Sequence, residues 1–250
     1  MDQSGKATRE AGAAIGEIVS VFMLHPETFA GSIAAGYTNP LAGYVAGRGG
    51  VLGEATGMTV ASVFAIFEPN VLAALWQEGV AVRGAIPAAE LYWDQMADFG
   101  RKHLAGADGL DRIAASGEAV MRATPGVSLP LYAGWCEMPL VDDVPGRAMQ
   151  IMHVLRELRG DVHFSALALS GITPLEAHMM GHDANYTRMF GWSEPFPDGA
   201  GKEQRYAEVD ERTNGRMTEI FEAALSGEQI SELGRLSTGA LAHLKAAVSG

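Results

Sequence analysis

The residues best able to do chemistry are concentrated in PGRAMQIMHVLRELRGDVHFSALALSG, Pro145 to Gly171, where His153, Arg156, Glu157, Arg159, Asp161 and His163 fall close together. An imidazole titrates near neutrality without perturbation, so His163 is the candidate proton-transfer group or ligand. Arg156 and Arg159 are suited to clamping an anionic group, with Glu157 or Asp161 orienting His163 or the arginines. Tyr44 and Arg48, in GYVAGRGGVLG, are candidate ligand-binding residues, Arg48 as an anion-facing group. Those glycines follow no strand, so neither the phosphate-loop nor the dinucleotide fingerprint is met, and a tight helix-to-helix turn is the competing reading.

Metal chemistry has weaker footing. His178-x-x-x-His182 has the spacing zinc peptidases use on a helix, but no glutamate follows the first histidine to act as general base. His153, Glu157 and Asp161 stack at steps of four and could form one wall of a metal site. Haem ligation by His163, His178 or His182 is chemically open and specified by nothing, so the cofactor, haem or a divalent metal, stays unassigned. There is no G-x-S-x-G elbow, and Cys136 lacks a neighbouring charge to lower its pKa.

These side chains need a helix to position them. Ile151, Leu155, Leu158, Val162, Ala166 and Leu169 recur in steps of four and three, the stripe of a core-facing helix. The ionisable residues lie on the other side. If that side meets solvent they are an ordinary charged face, with His153 above Glu157 and Arg159 above His163. If a second layer covers it they form a buried ionic network, costly unless satisfied and suggestive of a ligand site. Elsewhere the pattern predicts an amphipathic first helix and short helices from Pro26, Leu41, Thr59 and Asn70. Longer ones follow over 87–104 and 111–122. Leu129 to Glu137 reads as helix or coil, and Thr173-Pro174-Leu175-Glu176 as a capped start of the helix carrying both His178 and His182. A Pro- and Gly-rich loop spans 191–201, and two last helices run over 202–226 and 228–248. No segment alternates with period two. The expected fold is all-α, a multi-helix bundle around a long central helix (about 145–170) with little or no sheet. It is expected to be a single domain over 1–250, with 1–140 and 141–250 as the natural subdivision.

The charge of −12 repels phosphate and anionic lipid, so nucleic-acid binding is disfavoured and no membrane association is expected. The tryptophans at 76, 93, 135 and 192 are scattered without interleaved basic residues, against a base-stacking platform. A lone cysteine fits a reducing, cytoplasmic home. Glu17 interrupts the N-terminal apolar run, and no run reaches the ~20 residues a membrane span needs. Amphipathic end helices favour a homo-oligomer, and a small molecule is the expected partner.

GYVAGRGGVLG, FAIFEPNVL, HVLRELRGDVHFSALALSGITPLEA, GWSEPFP and EVDERTNGRM, in that order, resemble the blocks of the actinobacterial SalK-like proteins, often labelled a helix-turn-helix family. The likeness covers roughly residues 24 to 240. It singles out Tyr44, Arg48, Glu68, Asn70, Arg156, Glu157, Arg159, Asp161 and His163, and implies that this polar set lies inside the molecule. Longer members carry the rest of a winged helix-turn-helix between the last two blocks, and here only PDGAGKEQRYA stands between Phe196 and Glu208. A recognition helix and wing have almost no room. The sequence therefore reads first as a small-molecule or cofactor-binding protein, its enzymatic status open, and second as a transcriptional regulator with a degenerate winged helix-turn-helix. A purely structural interaction protein is the third reading.

Overall fold

The computed structural model describes residues 3–248. Among these the chain is 78% helical, with 13 α-helices and no strand. The expected all-α bundle is what forms. Its middle is the helix Val144–Ser170, here α9, with α1 (Gln3–Leu24), α6 (Ala85–His103), α7 (Leu110–Ala123), α8 (Pro130–Cys136) and α12 (Glu203–Ala224) packed around it. The Asp143 side chain caps the N-terminus of α9 by accepting from Gly146 N at 2.9 Å, and Pro145 stands in its first turn. Gly171, at φ 73°, ends it in the left-handed region where a Cβ would be strained.

Because helices cover α9 on several sides, its two-faced reading fails along the middle of its length. Ile151, Leu155, Leu158, Val162 and Ala166 are buried as the stripe predicts. So are His153, Glu157 and Asp161 on the other side, which excludes the ordinary charged face for them. Leu169 departs the other way, at 81% exposed: the neighbouring helices no longer cover α9 near its C-terminus.

The glycine-rich block forms α3 (Pro40–Gly49) and a 3₁₀ turn, Gly50–Leu52. Its glycines permit close crossing, as the turn reading requires. A Cβ at Gly50 would lie 2.2 Å from the Ala85 carbonyl oxygen, so α6 passes almost against the backbone there. A Cβ at Gly100 of α6 would lie 2.4 Å from the Pro145 oxygen. Two glycines thus let α6 bridge α3 and α9, which brings Arg48 to the side of Glu157.

The remaining elements are α2 (Pro26–Ala34), α4 (Gly57–Phe64), α5 (Pro69–Arg83), α10 (Pro174–Gly181), α11 (Ala184–Met189) and α13 (Gly227–Val248). The first and last helices, α1 and α13, lie against each other, and the main apolar cluster runs from Ala7 to Leu244. The capping box at Thr173 and Glu176 is present. However, α10 stops at Gly181, and His182 takes extended geometry (φ −144°, ψ 176°) outside it. The two-histidine helix face expected of His178 and His182 is not formed. No described helix is long and apolar enough to cross a membrane.

Candidate functional site

The centre of the site is a carboxylate shared by two guanidinium groups. Arg48 Nε and Nη2 donate to Glu157 Oε1 and Oε2, both at 2.8 Å, with the two side chains 1% and 0% exposed. Arg156 Nη1 donates to the same Oε1, also at 2.8 Å. Burial acts to raise the Glu157 pKa, but Arg48 and Arg156 outweigh it and hold the carboxyl well below its ordinary range. Burial likewise acts to lower the Arg48 pKa, and Glu157 overrides it and raises it. Arg48 is further held by the Phe64 ring, 4.3 Å from its guanidinium carbon, and by Tyr44, whose Oη accepts from Nη1 at 3.4 Å. Since one carboxylate serves two arginines, one guanidinium charge is left over. Arg48 is enclosed, so the surplus is presented by Arg156, 23% exposed.

Arg156 stands where two cavities adjoin, and Ser20 and Ile66 line both with it. One, about 170 Å³, is apolar and aromatic, walled by Met23, Tyr44, Phe67, Tyr186 and Phe190. The other, about 310 Å³, has Arg159 and His163 on its α9 side and Gly12, Gly16, Met217 and Phe221 opposite. The small residues of α1 keep this second cavity open, for a Cβ at Gly12 would already touch Arg159 Cδ at 3.4 Å.

His163 Nδ1 lies 3.2 Å from Thr213 Oγ1, and the Thr213 hydroxyl donates to the Val209 carbonyl at 2.7 Å. A hydroxyl has one proton, so Thr213 must accept from His163 Nδ1–H. That fixes the tautomer with Nε2 as a free acceptor. Burial and Arg159 both push the His163 pKa down, so the ring is neutral at pH 7. The carboxylate beside it is Asp210, with Oδ1 3.9 Å from His163 Nδ1 and 3.8 Å from Arg159 Nη2. Of the two expected orienting acids, Glu157 holds an expected arginine, Arg156, together with Arg48, and Asp161 has a different task. Asp161 Oδ2 accepts from Tyr132 N at 3.0 Å, tying α9 to the first turn of α8. Burial pushes its carboxyl up to about 7 against that hydrogen bond.

Tyr44, Arg48, Arg156 and Glu157 therefore form one contiguous set, and Arg159 and His163 line the adjoining cavity. His153 belongs to neither. Its ring is fully buried edge-on to Trp135, 4.7 Å between centroids, and burial pushes its pKa down to about 3. With Glu157 bound to arginines and Asp161 to backbone, the step-of-four trio makes no open metal wall. His178 is buried against Phe190 and Tyr186, and His182 stacks on Tyr186 at 3.9 Å. Among the described residues neither is part of a group of three ligand side chains. The sequence reading missed Asp210, Thr213, Tyr186 and Phe190. The first two sit three apart in EVDERTNGRM, a spacing that places both on one helix face, but nothing local says that this face meets His163.

The chain belongs to the Helix-turn-helix family, whose family model matches residues 8–248. No curated protein and no solved structure matches it. The family's name has a limited counterpart in the geometry. One short helix–turn–helix is α10–α11, joined by His182 and Asp183, and α11 has six residues with Arg188 as its cation. Arg188 is paired with Glu194. With no strand among the described residues, no wing accompanies it.

Proposed function

We propose that this helix-turn-helix family member binds a small amphipathic anion, an aromatic or aliphatic carboxylate or sulfonate. Its charged head would meet Arg156 and Arg159, and its apolar body would lie among Tyr44, Phe67, Tyr186 and Phe190. The observation that carries this reading is the surplus guanidinium charge of Arg156 at the junction of an aromatic cavity and a basic one, in a protein whose net charge is −12. A local cationic point inside an acidic molecule selects anions by contact, since the overall field disfavours them. His163, neutral with Nε2 free, supplies an acceptor for a donor on the ligand or a base for a proton on it. We extend the family assignment to its SalK-like members on the blocks quoted above, and the location to the cytoplasm on the single unpaired cysteine.

Anilinonaphthalene sulfonate, an aromatic anion whose fluorescence rises on binding, tests the proposal. Saturable binding at one site, weakened roughly tenfold or more by Arg156→Ala or Arg159→Ala, is expected, because a charge-assisted hydrogen bond is worth about 1.5–3 kcal/mol. Equal binding by wild type and both variants would overturn it.

The family name supports a second reading, a transcriptional regulator in which the same groove senses a ligand. It requires retention of duplex DNA with a steep salt dependence. A gel shift at low salt with no retained species would remove it. The paired Arg188 and the acidic net charge weigh against this reading.

A further inference from the structure

At the C-terminal end of α6, one turn beyond Gly100, a second cluster lies outside the groove. His25 stands between α1 and α2, Glu27 in the first turn of α2, and His103 is the last residue of α6. One ligand atom from each can be chosen so that all lie within 4.8 Å of one another. The rings are held in place by packing: Phe99 lies 5.3 Å from His25 and 4.5 Å from His103, and the two imidazoles are 5.2 Å apart, centroid to centroid. His103 is 8% exposed, and its Nε2 faces Glu27 Oε2 at 3.2 Å.

We propose that His25, Glu27 and His103 form a divalent metal site of the zinc class. The donor set, two imidazoles and one carboxylate, is suited to zinc and its neighbours in the transition series and unsuited to calcium or magnesium, which take oxygen ligands. Bonds of about 2.0–2.1 Å place tetrahedral ligand atoms about 3.4 Å apart, so the His103–Glu27 pair already has the required separation. The third atom closes by at most about 1.4 Å, a rotation open to the half-exposed Glu27 side chain or to the His25 ring. A cavity of about 210 Å³ lies beside Glu27, lined also by Gln95, Asp98 and Lys102.

Three contacts compete with the metal, the first being the His103 Nε2–H···Glu27 Oε2 hydrogen bond itself, whose proton ligation displaces. Lys102 Nζ pairs with Glu27 Oε1, and its side chain is 60% exposed, so it can leave for solvent. His25 Nδ1 accepts from Glu27 N at 3.3 Å, a long cap bond that ligation would give up. The lysine makes the proposal sharp, because adventitious binding at surface histidines does not depend on it.

The test is titration of the metal-free full chain with Zn²⁺ by calorimetry and with Co²⁺ by visible absorption. One equivalent bound, with d–d bands of four-coordinate Co²⁺, is expected. Lys102→Met should tighten binding severalfold. Glu27→Gln should weaken it tenfold or more, and His25→Ala should do the same. At a hundredfold excess of Zn²⁺ over Kd the melting temperature of the wild type should rise by about 5 °C or more. Absence of stoichiometric binding by the wild type overturns the proposal. So does equal affinity in the wild type, Glu27→Gln and His25→Ala, or a Lys102→Met variant that binds more weakly than the wild type.

Discussion

Replacing Glu157 by Gln keeps its shape and removes its charge, leaving Arg48 as a cation that is 1% exposed and facing a neutral amide. Breaking a buried pair by removing one partner costs about 3–5 kcal/mol, because the remaining charge has neither water nor a counterion. For a chain of this size that corresponds to a fall in melting temperature of roughly 6–20 °C. The structure also predicts an asymmetry. Arg48→Met leaves Glu157 with Arg156 Nη1 still at 2.8 Å, so its buried charge keeps a partner. That variant should lose distinctly less stability than Glu157→Gln. Removing both charges, Arg48→Met with Glu157→Leu, should recover most of the loss, since apolar groups of similar volume fill such a position about as well as the pair. Urea denaturation of the wild type, Glu157→Gln, Arg48→Met, Glu157→Leu and the double variant gives the free energies, and the cycle of wild type, Arg48→Met, Glu157→Leu and the double gives the coupling. If Glu157→Gln stays within about 1 kcal/mol of wild type, or Arg48→Met costs as much as Glu157→Gln, the shared-carboxylate account of this site is wrong.

Two of the buried titrating groups push stability against pH in opposite directions. The Asp161 pKa is raised in the fold from its ordinary 3.8 to about 7, so its contribution is full below pH 3.8 and is lost as pH rises toward 7. The His153 pKa is lowered from 6.5 to about 3, so its contribution is full above pH 6.5 and is lost as pH falls toward 3. The slopes oppose between these limits, and Asp161→Asn should uncover the histidine's, making unfolding free energy climb with pH by up to about 1.4 kcal/mol per unit more steeply than in the wild type. Denaturant midpoints across pH 4 to 6.5 check this, and a profile parallel to the wild type's refutes it. Gly50→Ala should destabilise by several kcal/mol or prevent folding, because its Cβ meets the Ala85 oxygen at 2.2 Å, whereas Gly215→Ala, inside α12 with open space around its Cβ, should be neutral or stabilise by up to about 1 kcal/mol. Equal midpoints for these two variants would contradict the close α3–α6 crossing. Thr173→Ala removes the side chain that accepts from Glu176 N at 3.3 Å and should cost about 1 kcal/mol, read from the same denaturation curves.

Much of this protein is settled by local chemistry that its sequence displays. Pro145 with the cap at Asp143, Gly171 at the far end, and the Thr173-Pro174-Leu175-Glu176 start each act within a few residues, so the limits of α9 and the beginning of α10 were legible. The burial of Ile151, Leu155 and Leu158 followed from periodicity alone, and so did the absence of strands among the described residues. What helix spacing could not decide is which side of α9 remains wet, because that depends on how many helices surround it. Leu169, expected inside, is out, and His153, Glu157 and Asp161 are enclosed. The pairing of Arg48 with Glu157 joins residues 109 apart in the chain and rests on the close passage of α6 by Gly50 and Gly100. Likewise Asp210 and Thr213 reach His163 only because α12 packs on α9, and His25, Glu27 and His103 meet only because the start of α2 lies beside the C-terminal end of α6. Local sequence sets which groups are available and where each helix begins and ends. Which carboxylate answers which cation is decided by tertiary packing, since Coulomb and hydrogen-bond energies depend on distances that only the assembled helices define.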